Sequence, residues 1–305
     1  MTDDACAICG SHGLQPDRAT DYITDTPFTV RRCTKCGFGR TEPLPPSMDA
    51  FYPAGYRQYS GLTLAMLRLL YAWRVKGWSR RLGRPGRALE IGCGDGWMLA
   101  ALRDRGWSVL GNERSLAGAR SAAAINHVST FVGSVDALRP ATRFDLVILF
   151  QVLEHLAEPL STLRHGAALL EPGGTMVVAV PNFASWQSRA FGPSWFHLDV
   201  PRHVSHFSPT ALRLAVEQMG LRVVRTGFAS PEHDPYGWVQ SALNRLGFEQ
   251  NLLTKWLMGI VKPAPTTLAV MVAISALLFV PSLLLAAWSW LAGSGAVMEM
   301  WAVKT

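Results

Sequence analysis

The chain has 305 residues, enough for one large domain or two modest ones. Its formal net charge is +7 and 49% of its residues are hydrophobic, a balance that suits nucleic acid, an anionic membrane surface or an acidic substrate without choosing among them. The acidic, polar opening "MTDDACAICG" is not a secretory signal, and five cysteines in a mostly paired pattern exclude a secreted disulfide framework.

Residues 1–45 read as a small module. Cys6-x-x-Cys9 and Cys33-x-x-Cys36 form two thiolate pairs, and four thiolates suit tetrahedral zinc with a purely structural role. An iron site and a redox dithiol are the competing readings. "CTKCGFG" supplies the glycine that lets a knuckle turn its amides toward sulfur, and "TEPLPPS" closes the module as a linker. Residues 46–85 carry the aromatic stretch "FYPAGYRQYS" and then a helix with Arg68, Arg74, Lys76, Arg80 and Arg81 among Leu, Trp and Tyr. Such a helix either packs on a sheet with solvated arginines or lies on an anionic membrane surface, and the two are compatible.

From Arg87 short apolar runs alternate with helical stretches, the pattern of βαβ units around a parallel sheet covered on both faces. "RALEI" leads into the loop "GCGDG", in which Gly92, Gly94 and Gly96 allow a sharp turn and close approach of a ligand. The spacing is neither the dinucleotide fingerprint nor a Walker loop. Glu90 precedes the loop, Asp95 lies in it and Glu113 ends the second strand; acids here disfavour a pyrophosphate and favour a cationic ligand. "FDLVILF" is a buried strand, and "SPTALRLAVEQMG" is a helix with Ser208 as N-cap, Pro209 in its first turn and Gly220 as its stop.

"LEIGCGDGWML", "VLGNERS", "FDLVILFQVLEHL" and "LLEPGGTMVVAVPN" follow one another as in class I S-adenosylmethionine-dependent methyltransferases, and the chain resembles that family over roughly residues 87–230. The resemblance implies a Rossmann-like α/β fold with a seven-stranded sheet over residues 86–232 and 295–305. It implies that Glu90 and the Gly92, Cys93, Gly94, Asp95, Gly96 loop hold the methionine part of the cofactor and Glu113 the ribose. Ser134 and Val135 would lie near the adenine, and Gln151 would face the sulfonium. Cys93 is read as a small buried residue there, not a metal ligand. The Asn/Asp-Pro-Pro-aromatic motif of base-amine methylation is missing, which counts against a nucleic-acid substrate.

Methyl transfer to a hydroxyl needs positioning and a base. The segment "WFHLDVPRHVSHFSP" follows the fifth strand, where ligands bind in open α/β sheets. Trp195, His197, Asp199 and Arg202 are its candidate substrate contacts. His203 is the first candidate base, His206 the second, and His155, after the fourth strand, the third. Similar bacterial methyltransferases carry comparable Pro-Arg-His-x-x-His-Phe segments.

Residues 233–294 form an apolar segment inserted before the last strand. No charge lies between Lys262 and Glu299. As one helix, residues 268–292 would be about 37 Å long, enough to span a bilayer. Pro281 divides the run into halves of about 16–20 Å, too short to span, so the expectation is a hairpin that dips into one leaflet, or lies in it, and returns. "AVMEMWAVK" alternates as a strand and would be the antiparallel seventh of the sheet. The expected protein is thus a methyltransferase with a zinc ribbon, working at the cytoplasmic membrane face on an amphipathic or lipid-linked small molecule through oxygen or carbon. An RNA methyltransferase using the ribbon, and a non-catalytic cofactor-binding membrane adaptor, are the alternatives. The sequence does not indicate an oligomeric state.

Overall fold

Three short strands, β1 (Leu14–Thr20), β2 (Pro27–Cys33) and β3 (Gly39–Glu42), make an antiparallel meander flanked by the two cysteine knuckles. The structure is a computed structural model describing residues 5–52, 61–138 and 142–305. Most of the aromatic stretch before the basic helix, residues 53–60, lies outside the described residues.

Helix α1 (Gly61–Leu82) comes next. It is not simply a solvated basic helix. Val75 and Trp78 are buried in a cluster with the first sheet strands, and Arg74 is nearly inaccessible. The Arg74 guanidinium donates to Glu232 and Glu299 at 2.5 Å each, and Trp78 Nε1 donates to Glu299 at 3.2 Å. The opposite face exposes Met66, Leu69 and Trp73.

The alternating core then runs β4 (Arg87–Ile91), α2 (Trp97–Arg103), β5 (Ser108–Glu113), α3 (Leu116–Asn126), β6 (Thr130–Val132), β7 (Phe144–Phe150), α4 (Pro159–Ala168) and β8 (Leu170–Pro181). After α5 (Trp186–Phe191) and the two-residue β9 (Ser205–His206) come α6 (Pro209–Glu217) and β10 (Leu221–Gly227). Helices α7 (Asp234–Arg245), α8 (Leu252–Leu257) and α9 (Pro265–Leu291) separate β10 from β11 (Val297–Lys304).

The main sheet has the order β10-β11-β8-β7-β4-β5-β6, with β11 antiparallel to both neighbours. β7 is apolar at every position but Asp145 because it lies at the centre with helices on both faces; Leu146, Val147, Ile148 and Leu149 are fully buried. β11 alternates as expected: Met298, Met300 and Ala302 enter one core cluster, while Trp301 enters the other, against Trp78. β11 lies between β10 and β8, so the apolar segment leaves the sheet after β10 and the chain comes back to it. Ser208 caps α6 by accepting from Ala211 N, with Pro209 next, and Gly220 ends the turn at φ +76°.

The expected break at Pro281 does not occur. Residues 265–291 form one helix, and the hairpin reading is corrected accordingly. A proline removes one N–H and crowds the preceding turn, yet its φ is compatible with helix, so tertiary support can hold the helix together. That support is present along one face: Met271, Ser282, Ala286 and Ser289 are buried, and Met271, Leu268, Ile274 and Leu278 pack with Val239 and Leu243 of α7. The far end is fastened by Trp290 Nε1 donating to Asp234 Oδ2 at 2.5 Å and by Trp288 meeting Trp186 at 5.1 Å. Asp234 also accepts from the Ala296 and Val297 amides, so one buried carboxylate ties α7, α9 and β11 together. Burial raises its carboxyl well above the ordinary value, against these donors. The other face of α9 is exposed and apolar, with Leu277 76% and Leu291 88% accessible.

Candidate active site

At the carboxyl end of β4 the chain turns sharply through Gly92, Gly94 and Gly96, with φ of +71°, +50° and +75°. A Cβ at Gly92 would stand 2.6 Å from Val152 Cγ2, so this position excludes any side chain. The loop opens into a cavity of about 440 Å³ that Glu90, Gly92, Cys93, Gly94, Asp95 and Gln151 help to line. Glu113, at the end of β5, accepts from Gly94 N at 3.2 Å and from Arg114 N at 2.8 Å. Burial, with the nearby Glu113 carboxylate, pushes the Glu90 carboxyl up to about 8. Burial, with the Glu90 carboxylate next, pushes the Cys93 thiol up to about 12, so Cys93 stays protonated and packs as a small residue.

Glu90 Oε2 and Gln151 Nε2 are buried without a hydrogen-bonding partner among the described residues. Both border this cavity, so the protein supplies an acceptor and a donor there that only a ligand would satisfy. Together with the side-chain-free approach at Gly92, this fits S-adenosylmethionine. Asp95 lines the cavity with its carboxylate held by Ser121 Oγ at 2.5 Å. Ser134 and Val135 do not belong to the lining. Ser134 Oγ caps the turn after β6 by accepting from Asp136 N at 3.4 Å, and Val135 is buried in the core.

The segment after β8 divides in two. His197 and Asp199 reach the cavity. Trp195 is buried against Phe183, with ring centroids 6.4 Å apart, and Arg202 is wholly inaccessible. Arg202 Nε donates to Asp199 Oδ1 at 2.7 Å, Nη2 pairs with Asp21 at 2.7 Å, and the guanidinium lies 4.3 Å from the Tyr22 ring centre. It therefore clamps the cleft wall to the cysteine module instead of facing a substrate.

The three histidines expected as bases stand behind the lining. His155 and His203 pack edge to face at 4.7 Å, with His203 Nε2 3.8 Å from Asp199. His206 lies on β9, paired with β3. Thr41 Oγ1 donates to His203 O, so it accepts from His206 Nε2–H at 2.9 Å. Burial pushes this imidazole down to about 3, against the Asp199 carboxylate, so it is neutral and serves as a joint between module and sheet.

The sequence reading missed much of the opposite wall. Tyr22 comes from the cysteine module, Met66, Leu67 and Tyr71 from α1, Glu232, His233 and Tyr236 from the start of the inserted helices, and Leu257 and Met258 from the end of α8. Clustered tyrosines and histidines flanking a predicted strand end were the available signal, but no periodicity says which of them converge. Met66 and Leu257 both line the cavity and are exposed, so they mark its rim.

The cysteine module brings Cys6, Cys9, Cys33 and Cys36 together, their sulfurs all within 4.8 Å of one another. Cys6 and Cys36 are 3.5 Å apart and Cys9 and Cys33 3.6 Å, close to the ~3.8 Å edge of a tetrahedron with ~2.3 Å zinc–sulfur bonds. All four are free thiols, with Gly10 and Gly37 at φ +68° and +74° in the knuckles. The donor set is compatible with a zinc ribbon.

Residues 66–226, more than half of the chain, match the family described as methyltransferase domain. A ubiquinone biosynthesis O-methyltransferase of Bradyrhizobium diazoefficiens is 36% identical over 112 residues, covering 34% of this chain and 43% of that protein. The enzyme of the same name from Cereibacter sphaeroides is 30% identical over 168 residues, covering 50% of this chain and 66% of its own. The chain thus spans less than half the length of the first of these relatives. The crystal structure of an Archaeoglobus fulgidus SAM-dependent methyltransferase superposes with a TM-score of 0.50 at 19% identity, over 78% of this chain and 94% of that one, a likeness of fold. With its seven-stranded sheet, glycine loop and paired acids, the chain belongs to the class I S-adenosylmethionine-dependent methyltransferases.

Proposed function

We propose that the protein methylates an oxygen of an amphipathic or lipid-linked small molecule, such as a prenylated phenol, at the cytoplasmic face of a membrane. The observation that carries this reading is the rim of the cleft. Its exposed edge is apolar, made by Met66 of α1 and Leu257 of α8, and α1 and α9 each expose further large apolar side chains, Leu69 and Trp73 on the first, Leu277 and Leu284 on the second. Among the described residues, α9 is the one helix long and apolar enough to cross a membrane by length and composition. Its burial along α7 and the return of the chain into β11 favour a helix lying in one leaflet over a span. Relatives carry the name ubiquinone biosynthesis O-methyltransferase, which states an oxygen acceptor for them.

The cofactor supplies an electrophilic methyl group on a sulfonium. The chain's part is to orient the acceptor and take its proton. Tyr22, Tyr71, Phe196 and Tyr236 offer aromatic walls for a flat ring. Of the histidines, His197 and His233 border the cleft. His233 Nδ1 lies 2.9 Å from Ser230 Oγ and 3.8 Å from the buried Glu232, an orienting pair of the kind a general base uses. His233 is the proton acceptor in this reading, with His203 and His155 one layer behind. Zinc in the four-thiol cluster would be structural, holding the module from which Tyr22 reaches the cleft and Asp21 pairs with Arg202.

An RNA acceptor fits poorly, because the rim is apolar and Arg74 is committed to buried carboxylates. With labelled S-adenosylmethionine, label should pass into a detergent-solubilised membrane lipid extract and not into total RNA. Label in RNA alone would overturn the reading, and cofactor binding with transfer to neither would favour a non-catalytic adaptor.

A further inference from the structure

The cysteine module carries a second cavity, of about 940 Å³, which shares no lining residue with the cofactor cleft. Strand alternation puts it on the outer face of the meander. In β2, Phe28 and Val30 turn inward and pack with Phe183 and Trp195 of the methyltransferase core, so Thr29 and Arg31 turn outward. The antiparallel registers then order the lining into three rows. Leu14 and Phe38, with Ala5 and Ala7 of the first knuckle, make an apolar end. Pro16, Arg31 and Arg40 make the middle row, each opposite the next across the strands. Thr29 and Glu42 make the third, with Pro43 and Leu44 beyond it.

The middle row sets two arginines directly opposite one another, an unfavourable cross-strand pair that an anion between them would relieve. Glu42 is drawn to one of them, with its Oε2 3.9 Å from Arg31 Nε. Arg40 is half-buried and, among the described residues, makes no hydrogen bond, ion pair or ring contact. The spacing of the rows selects a ligand. Side chains two apart on one face of a strand are ~6.8 Å apart, and so are alternate side chains of an extended peptide. A peptide laid along the strands therefore sets a carboxylate over the arginine row and a side chain two residues away over Leu14 and Phe38. The residue two away in the other direction meets Glu42, which rejects a second acid. That row also argues against nucleic acid, whose evenly repeated phosphates require a longer run of cations.

We propose that this groove docks an extended segment of a partner protein that carries one acid and, two residues from it, a large apolar side chain. The probes are fluorescein-labelled peptides built on Lys-Ala-Glu-Ala-Phe and on the reverse order, each with a control in which Lys replaces Glu. Binding to the full chain is read by fluorescence anisotropy. At least one acidic peptide should bind the wild type saturably below about 1 mM, the weak affinity of a small interface, and its Lys control should not. Arg40→Gln should weaken that peptide about tenfold. Arg40→Glu should abolish its binding and bind the Lys control instead, with S-adenosylmethionine affinity and metal content within about twofold of wild type. If Arg40→Glu fails to fold, as judged by lost cofactor binding, Arg40→Gln and the Lys control still decide. No binding of either acidic peptide to the wild type, or equal binding by wild type and Arg40→Gln, overturns the site. Asp3 and Asp4 stand just before Ala5 in the chain. Peptide binding found only in the Asp3→Asn, Asp4→Asn variant would assign the groove to the chain's own opening and overturn the partner reading. No acceptor or methyl transfer enters the readout, so the result stands apart from the membrane-substrate reading.

Discussion

Replacing Arg74 by methionine should cost the protein far more than a surface arginine would. Its guanidinium is shared by Glu232 and Glu299, both at 2.5 Å and both largely inaccessible. Methionine keeps a stem that can pack on Phe150, whose ring centre lies 5.3 Å from the guanidinium carbon, but leaves two buried carboxylates without their cation. Trp78 Nε1 remains as a donor to Glu299 at 3.2 Å, which offsets part of the loss. Breaking a buried pair by removing one partner typically costs about 3–5 kcal/mol. Urea unfolding followed by tryptophan fluorescence should show a loss in that range. Arg74→Lys should fall between, because an ammonium cannot present a rigid fork to two carboxylates. The triple variant Arg74→Met, Glu232→Gln, Glu299→Gln should recover much of the loss, since the unpaired charges are gone. A loss under about 1 kcal/mol for Arg74→Met, or no recovery in the triple variant, would show that this node does not carry the joint between α1, the inserted helices and β11.

Glu113→Ala should weaken S-adenosylmethionine binding about tenfold or more, the usual cost of a lost charge-assisted hydrogen bond; unchanged affinity by calorimetry would remove the ribose role. Glu90 has a folded-state pKa pushed up to about 8 from an ordinary 4.5. Stability associated with its protonated form is therefore full below about pH 4.5 and lost as pH rises through about 8, and Glu90→Gln should flatten that slope. A cationic ligand beside it should also drive proton release on binding near pH 7, measurable by calorimetry in buffers of different ionisation heat and absent in Glu90→Gln. Purified protein should contain a zinc that Cys33→Ser with Cys36→Ser releases, with the cysteine module destabilised more than the methyltransferase core. Elemental analysis finding no such difference would refute the ribbon.

Much of this architecture is legible in the chain because burial writes itself into composition. Phe144–Phe150 is apolar at every position except Asp145, which only a doubly covered central strand tolerates. Val297–Lys304 alternates, and each face enters a different core cluster. Glycine spacing marks the turn after β4 that opens into the cleft, and the acid at 113 is tied to that turn through Gly94 N. What stayed hidden depends on tertiary partners. Pro281 reads as a breaker until α7 is seen to brace the helix around it. Arg74 reads as solvated until Glu232 and Glu299, more than 150 residues away, are brought to it. Trp195, Arg202 and His206 read as site residues because polar and aromatic groups crowd one loop. Their packing shows that the crowd is a joint between the cysteine module and the sheet, with Asp199 and His197 as its edge on the cleft. Tyr22 has no local mark at all; only the docking of the ribbon carries it into the site.

The central claim is that the cleft receives its acceptor from a membrane that α9 engages. Its most direct test measures methyl transfer to a long-chain prenylated phenol embedded in anionic phospholipid vesicles and to a short-chain, water-soluble version of the same phenol. The comparison is between the wild type and a variant with Leu277→Ser, Leu284→Ser and Leu291→Ser on the exposed face of α9. The account predicts that kcat/KM for the vesicle-borne acceptor falls at least tenfold in the variant, while the value for the soluble acceptor stays within twofold. Equal activity of both proteins on vesicles, or an equal fall on both acceptors, would contradict it.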